Sequence, residues 1–335
     1  MKILLVMISP ANANGGMEKH FNELANGMAA LGHQVACVAA QEHLTNLKES
    51  ISRHPVNTRA SRYAPTLHYQ LFKVLRRQSF DIAHAHGSKA AALLPKMAFI
   101  SPRTSRIATV HNFKKKYPNT KCFCHVIAVS KAVAADIAQS NVSVVYNGLK
   151  SSSGGATAHA LRIDLPKPVW LSVGRLVPAK GFDNLLNAFQ HTPGSLIIAG
   201  SGPERENLEK QIEDKGLGQR AHLLGHQSDI PSLMRRVDGV VISSRKEGFS
   251  YVFAEALFAE KPIISTDVPV ANEFLDKEFI IPPGSSPQIF AQYLNRDLEQ
   301  VFASQESIRK RAREELTIES MLENTLQIYS QCLKS

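Results

Sequence analysis

The chain has 335 residues, more than one ordinary hydrophobic core needs and enough for two domains. Its hydrophobic fraction of 44% and charged fraction of 20% exclude a disordered chain, and no apolar run reaches the roughly 20 residues of a membrane-spanning helix. The formal net charge is +10. The apolar stretch at the N-terminus ends at Pro10, which is too short for a secretory signal and predicts a first strand.

The first 150 residues alternate short apolar runs with helical segments. A helix is predicted from about Met17 to Leu31, because Phe21, Leu24 and Met28 recur at helical spacing and Gly32 follows. Strands are predicted at 2–8, 34–40, 81–86, 106–111, 125–130 and 142–147. This alternation is typical of a mostly parallel, doubly wound α/β sheet.

The pattern stops at a stretch rich in Ser, Gly and Ala, and then starts again. We predict an N-terminal domain over 1–150, a linker over 151–165, a second domain over 166–315 and a C-terminal helix over 316–335 that packs back on the first domain. Strands of the second domain are predicted at 168–174, 195–200, 221–225, 239–244 and 262–267. Two Rossmann-like domains predict a ligand cleft at the carboxyl ends of their strands.

Several loop residues at these strand ends are candidates for binding a ligand. Gly15 and Gly16 precede the first helix, where they form either a tight turn or a place for a phosphate or sugar to approach the backbone. Arg175 and Lys180 follow the first strand of the second domain. They are either residues of a solvated loop or phosphate ligands. The dinucleotide fingerprint is absent, since Gly200 and Gly202 have no third glycine, and this argues against a dehydrogenase.

The segment EGFSYVFAEA (247–256) carries the most specific pattern. Glu247 precedes a predicted helix over 251–259, and Glu255 lies about one turn inside it, so the two carboxylates are not a paired acid and base. The amides of Gly248, Phe249 and Ser250 would supply donors at the helix start. Two acceptors beside these donors suit a phosphorylated ligand rich in hydroxyls. The simpler alternative is that Glu247 stabilises the helix dipole and Glu255 is an exposed helix residue.

With its upstream cations, this segment resembles the signature of retaining nucleotide-sugar glycosyltransferases of family 4, which have the GT-B fold. The resemblance extends through ANANGGMEKHFNEL, DIAHAHG, ATVHNF, VGRLVPAKGFDNLLNAF and LIIAGSGPERENLE. It implies that Glu255 holds the nucleotide ribose and that Glu247, with the amides of 248–250, holds the transferred sugar. It also implies that Arg175 and Lys180 hold the diphosphate. Gly16 would approach the diphosphate and acceptor, and His111 would face the sugar.

The chain contains no D-x-D triplet, so we expect transfer without a metal or another cofactor. The resemblance implies retention of configuration, and no carboxylate stands out as a covalent nucleophile. His84 and His86 alternate with alanine on a strand, and we expect them to line the core or the cleft rather than to bind a metal. The four cysteines, at 37, 122, 124 and 332, are expected to be reduced thiols of a cytoplasmic protein.

The positive charge is concentrated in the first half. Residues 1–150 have 19 Lys and Arg against 6 Asp and Glu, whereas residues 151–335 have 20 against 23. The cations that we assign to an acceptor or membrane face are Lys73, Arg76, Arg77, Lys114, Lys115 and Lys116. They suggest a peripheral protein on the inner face of the cytoplasmic membrane, with an anionic or lipid-linked glycan acceptor such as lipopolysaccharide core.

Two alternatives remain at this point. A sugar-phosphate synthase or phosphorylase on the same scaffold would act on a soluble acceptor and would need no basic face. A nucleic-acid-binding protein would use the positive charge, but no RNA-binding signature or aromatic platform occurs in the strands, so we expect no nucleic-acid partner.

Overall fold

The structure is a computed structural model that describes residues 1–10, 15–117, 119–137, 141–150 and 165–334. The predicted linker lies outside the described residues, apart from Leu165. The chain forms two compact units, which are called unit 1 (Met1–Gly148 with Glu315–Ser335) and unit 2 (Leu149–Glu314).

Unit 1 contains a seven-stranded parallel sheet in the order β3-β2-β1-β4-β5-β6-β7. Its strands are Lys2–Met7 (β1), Gln34–Ala39 (β2), Ser52–Pro55 (β3), Ile82–His86 (β4), Ser105–Val110 (β5), His125–Ala128 (β6) and Val142–Val144 (β7). Its α-helices are Gly16–Ala30 (α1), Gln41–Leu44 (α2), Pro65–Arg77 (α3), Gly87–Leu93 (α4), Lys131–Ile137 (α5) and Ile318–Lys334 (α14). The order reverses between β1 and β4, where an open α/β sheet binds its ligands.

The central strand β1 is apolar throughout because both faces of the sheet are covered. Leu4 and Val6 contribute to one core, while Ile3, Leu5 and Met7 contribute to the other. The second core includes side chains of α14, which contacts α1, and Gly27 of α1 leaves room for the α14 side chain of Leu322. The C-terminal helix is therefore part of unit 1.

Unit 2 contains a six-stranded parallel sheet in the order β10-β9-β8-β11-β12-β13. Its strands are Val169–Val173 (β8), Ser195–Ala199 (β9), Ala221–Gly225 (β10), Gly239–Ile242 (β11), Ile263–Thr266 (β12) and Ile280–Ile281 (β13). Its α-helices are Phe182–Phe189 (α6), Arg205–Asp214 (α7), Ile230–Arg235 (α8), Tyr251–Phe258 (α9), Ala271–Phe274 (α10), Pro287–Leu294 (α11), Leu298–Ser304 (α12) and Glu306–Glu315 (α13). The reversal lies between β8 and β11.

The cysteines differ from the sequence expectation. Cys124 beside β6 and Cys332 on α14 are paired as a disulfide with a Cα–Cα distance of 5.8 Å, so the prediction of four reduced thiols was wrong for these two. Cys37 is a buried free thiol and Cys122 an exposed one. Among the described residues, no helix is both long enough and apolar enough to cross a membrane.

Candidate functional site

The loop after β8 is held in place by the neighbouring loop after β9. The amide of Gly174 donates to the carbonyl of Ala199 (3.0 Å), and the amide of Leu176 donates to that of Ser201 (2.9 Å). A Cβ at Gly200 would lie 1.8 Å from the carbonyl oxygen of Gly174, so only glycine allows this approach. The two loops therefore present the exposed side chain of Arg175 from a fixed backbone.

The end of the same loop is attached to the segment that follows β11. Gly181 has a φ of +65°, and a Cβ there would lie 2.1 Å from the carbonyl oxygen of Ser243. The Ser243 hydroxyl donates to the carbonyl of Lys180 (2.9 Å), and the amide of Arg245 donates to the carbonyl of Ala179 (2.8 Å). These contacts position Lys180 against the segment that contains Glu247.

Lys180 and Glu247 form the central ion pair of unit 2. Nζ of Lys180 donates to Oε1 of Glu247 at 2.8 Å, and the hydroxyl of Ser244 donates to the same oxygen at 2.7 Å. The Glu247 side chain is 9% exposed, and the Lys180 side chain 20%. The stem of Lys180 passes over Gly174, where a Cβ would lie 2.9 Å from its Cε. Lys180, which follows β8, and Glu247, which follows β11, therefore meet where the strand order of the sheet reverses.

A second ion pair, between Arg245 and Asp183, connects the same loops. Arg245 donates to both carboxylate oxygens of Asp183, at 2.8 and 2.7 Å, and to the carbonyl of Pro178 at 2.7 Å. The bidentate bond raises the pKa of Arg245. Because Arg245 follows β11 and Asp183 begins α6, the pair fixes both segments that supply the central ion pair.

Helix α9 begins at Tyr251, where the sequence predicted it, so Glu247 lies before the helix and Glu255 lies within it. Phe249 and Ser250 are buried, and Ser250 is the N-cap residue of α9. The hydroxyl of Ser250 is buried and has no hydrogen-bond partner within the described chain. Glu255 is half-buried in the second turn of the helix.

In unit 1, Gly15 and Gly16 are exposed at the start of α1. The carboxylate of Glu18 accepts from the amide of Gly15 at 3.0 Å and from the hydroxyl of Ser9, which follows β1. Glu18 is 6% exposed. The Glu18 carboxylate thus ties the end of β1 to the first turn of α1, and it is a positioning feature that the sequence reasoning did not identify.

His111 is half-buried and lies among other histidines. It follows β5, and its Nε2 lies 3.2 Å from Nδ1 of His86, which ends β4. His20 of α1 lies against both rings, with centroid distances of 5.4 Å to His86 and 4.9 Å to His111. Burial lowers the pKa of His20 to about 4 and the pKa values of His86 and His111 well below the usual value, so all three imidazoles are neutral at pH 7. Sequence reasoning missed His20, whose only signal was its place on the buried face of the predicted helix.

His84 is a core residue, as the sequence predicted. Its Nδ1 pairs with the hydroxyl of Tyr329 and its Nε2 with that of Thr109, both at 2.7 Å. It is fully buried. Both ring nitrogens are therefore used inside the protein.

The six cations assigned to the acceptor face are all exposed: Lys73, Arg76, Arg77, Lys114, Lys115 and Lys116. Lys73 and Arg76 share one face of α3 with Tyr69, which is 61% exposed and lies 5.7 Å from Nζ of Lys73. Just before α3, Tyr63 is 66% exposed and contacts Arg62 and Lys96. We define the basic-aromatic surface as the residues Arg62, Tyr63, Tyr69, Lys73, Arg76 and Lys96.

Comparison with known proteins agrees with this architecture. Residues 157–315 match the family model for glycosyl transferases group 1, and residues 14–152 match the model for glycosyltransferase family 4. Both halves of the chain match glycosyltransferase family models, and solved structures with two such α/β units align with nearly its whole length. The chain is therefore a glycosyltransferase with the GT-B fold.

Individual relatives and solved structures have low sequence identity to this chain. The lipopolysaccharide core biosynthesis glycosyltransferase LpsE of Rhizobium meliloti is 27% identical over 267 residues, which is 76% of each chain. The crystal structure of Anabaena Alr3699/HepE in complex with UDP has a TM-score of 0.81 at 21% identity and covers 99% of this chain and 100% of its own. The apo form of the lipopolysaccharide outer core galactosyltransferase WaaB has a TM-score of 0.77 at 20% identity, with 99% of both chains covered.

Proposed function

We propose that this glycosyltransferase moves a sugar, with retention of configuration, from a nucleotide diphosphate sugar to a hydroxyl of a lipid-linked or polysaccharide acceptor. The observation that carries the proposal is the ion pair between Lys180 and the buried carboxylate of Glu247, at the sheet reversal of unit 2. A cation beside a carboxylate offers one group to a phosphate and one to sugar hydroxyls. The described neighbour HepE, which was solved with UDP, supports a nucleotide donor.

We assign the following roles to the predicted site residues. Arg175 and Lys180 bind the diphosphate and stabilise the negative charge that develops as it leaves. Glu247 and the amides of Gly248 to Ser250 bind the transferred sugar. Glu255, on α9, accepts hydrogen bonds from the ribose hydroxyls. In unit 1, Gly15 and Gly16 present the start of α1 to the diphosphate and acceptor, and His111 faces the sugar.

The proposed reaction takes place on one face of the sugar. The bond between C1 and the phosphate oxygen breaks, and the acceptor oxygen forms its bond to C1 on the same side. The departing phosphate oxygen takes the acceptor proton, so no covalent glycosyl-enzyme is formed. Arg175 and Lys180 supply the positive charge on the diphosphate that a divalent ion supplies in enzymes with a D-x-D triplet.

The anomer of the released sugar tests this mechanism. Without an acceptor, slow hydrolysis of UDP-glucose, GDP-mannose or ADP-glucose is followed by proton NMR, and one donor is expected to release the α-sugar first. Protein dialysed against EDTA should show the same rate when Mg²⁺ or Mn²⁺ is added. Prior release of the β-sugar would contradict retention, and a large gain with Mg²⁺ would contradict transfer without a metal at the diphosphate.

We further propose that the acceptor is a lipopolysaccharide core or a related anionic glycan, and that the protein binds the membrane surface peripherally. The relatives LpsE and WaaB support this acceptor class. The excess of 13 positive charges over residues 1–150 supports an anionic partner. The basic-aromatic surface combines exposed cations with exposed Tyr63 and Tyr69, a composition that suits a lipid headgroup layer.

Membrane binding is tested with vesicles of neutral lipid and of neutral lipid with phosphatidylglycerol. The double variant Lys73→Gln/Arg76→Gln is expected to lose about 2 kcal/mol of binding to the anionic vesicles, or roughly 30-fold in affinity. The matched control is Lys210→Gln/Lys277→Gln, which removes two exposed lysines of unit 2. Equal sedimentation of the wild type with both vesicle types at low salt would overturn the membrane proposal.

A further inference from the structure

Three imidazoles in unit 1 converge at the carboxyl edge of its sheet. His20 comes from α1, His86 ends β4 and His111 follows β5. One ring nitrogen from each of the three lies within 4.8 Å of one from each of the others. All three residues belong to unit 1, so this grouping is a property of a single compact unit.

The cluster contains buried polar atoms that have no hydrogen-bond partner in the described part of the chain. They are a ring nitrogen of His20, Nε2 of His86 and Nδ1 of His111. Leaving a buried polar atom unpaired costs about 1–3 kcal/mol, and folded proteins rarely accept several together. The side chain of Asn147 lies within hydrogen-bonding reach of His20, where it raises the pKa of the imidazole against the larger lowering by burial. At least one nitrogen of His20 therefore lacks the partner that a ligand bound in the cluster would supply.

The chemistry of the cluster suits a transition metal. Neutral imidazole is the form that binds such ions, and burial keeps all three rings neutral. Nδ1 of His86 and Nε2 of His111 share a hydrogen bond of 3.2 Å. An ion bound to both nitrogens would replace that bond at nearly the same separation, since ligands of a tetrahedral zinc ion with Zn–N bonds of about 2.0–2.1 Å lie roughly 3.4 Å apart. Imidazoles without carboxylates select zinc, cobalt or copper over magnesium and calcium.

We propose that His20, His86 and His111 bind one zinc-type divalent ion, with an oxygen ligand for which Oδ1 of Asn147 is the candidate. The site shares His111 with the proposed function, which assigns that residue to the transferred sugar, but its ligands all belong to unit 1, so ion binding needs no donor. A metal on one nitrogen of His111 would fix the orientation of that ring and leave its other nitrogen for substrate. His84 does not join the ligand set, since both its nitrogens are already bonded.

Cobalt binding tests the proposal without any donor or acceptor, so its failure is distinct from failure of the proposed function. Full-length protein stripped with a chelator is titrated with Co²⁺. We expect one ion per chain, the visible absorption of a four-coordinate site, and its loss when Zn²⁺ but not Mg²⁺ is added. His20→Gln and His86→Gln should each weaken binding at least about 100-fold, whereas His125→Gln, a half-buried histidine of the same unit, should not.

Circular dichroism and the unfolding temperature of each variant establish that it is folded before its affinity is compared. If a variant does not fold, the wild-type titration decides the matter. No stoichiometric Co²⁺ or Zn²⁺ binding by the wild type would overturn the proposal and leave a hydrated polar cluster. Unchanged affinity in folded His20→Gln and His86→Gln would also overturn it, because the ion would then be bound elsewhere.

Discussion

Lys180→Met is expected to lower the rate of sugar transfer by about 10²–10³-fold, the cost of removing one group that stabilises developing negative charge. Methionine keeps the length of the stem that passes over Gly174 and removes only the cation. Donor hydrolysis measured by nucleotide release gives the rate. Lys210→Met, on an exposed position of α7, is the matched control and should keep the wild-type rate.

Loss of stability has to be separated from loss of catalysis, because Lys180→Met leaves the carboxylate of Glu247 buried beside Ser244 without its cation. In the double variant Lys180→Met/Glu247→Gln the buried charge is gone as well. We expect the double variant to regain much of the unfolding free energy and none of the transfer rate. Recovery of transfer would show that Lys180 only neutralises Glu247 and does not act on the diphosphate.

Gly181→Ala is expected to destabilise unit 2 by about 2–5 kcal/mol, from roughly 1–2 kcal/mol for the left-handed backbone and a further 1–3 kcal/mol for the collision with Ser243. The added Cβ would lie 2.1 Å from a carbonyl oxygen, so the loop that holds Lys180 must shift. We therefore expect a lower unfolding temperature together with loss of transfer, measured by thermal unfolding and donor hydrolysis.

Gly216→Ala is the control for the backbone cost alone. Gly216 follows α7 with a φ of +66°, and a Cβ there meets nothing within 4 Å. This variant should lose only about 1–2 kcal/mol and should keep its transfer rate. Equal destabilisation by the two substitutions would mean that the contact between the loops after β8 and β11 adds no stability.

The sheets could be predicted from the sequence because their central strands are buried on both faces and so form continuous apolar runs. Strand β3, Ser52–Pro55, was missed because its sequence SRHP is largely exposed and has no apolar run. Strand β13 has two residues, Ile280–Ile281, too few for any periodic signal. In both cases the pairing with a neighbouring strand defines the element, and pairing is a long-range property.

The candidate site could be predicted as residue types at strand ends, but not as contacts. Lys180 and Glu247 are 67 positions apart, and the register of β8 against β11 brings them together. Gly200 was noticed only as part of an incomplete fingerprint, although its role is to let the loop after β8 approach. His20 was overlooked because one histidine on a helix gives no sign of the partners that two distant strands supply.

Binding of a nucleotide sugar by unit 2 through Glu255 is the central feature of the proposed function. Thermal unfolding is measured with UDP-, GDP- and ADP-sugars for the wild type, Glu255→Ala and the control Glu213→Ala, an exposed glutamate of α7. A donor at 100 times its dissociation constant stabilises the folded protein by about 2.7 kcal/mol, which is several degrees for a protein of this size. We predict that one nucleotide class shifts the wild type and Glu213→Ala but not Glu255→Ala. A shift of equal size in all three proteins, or no shift with any donor, would contradict the assignment.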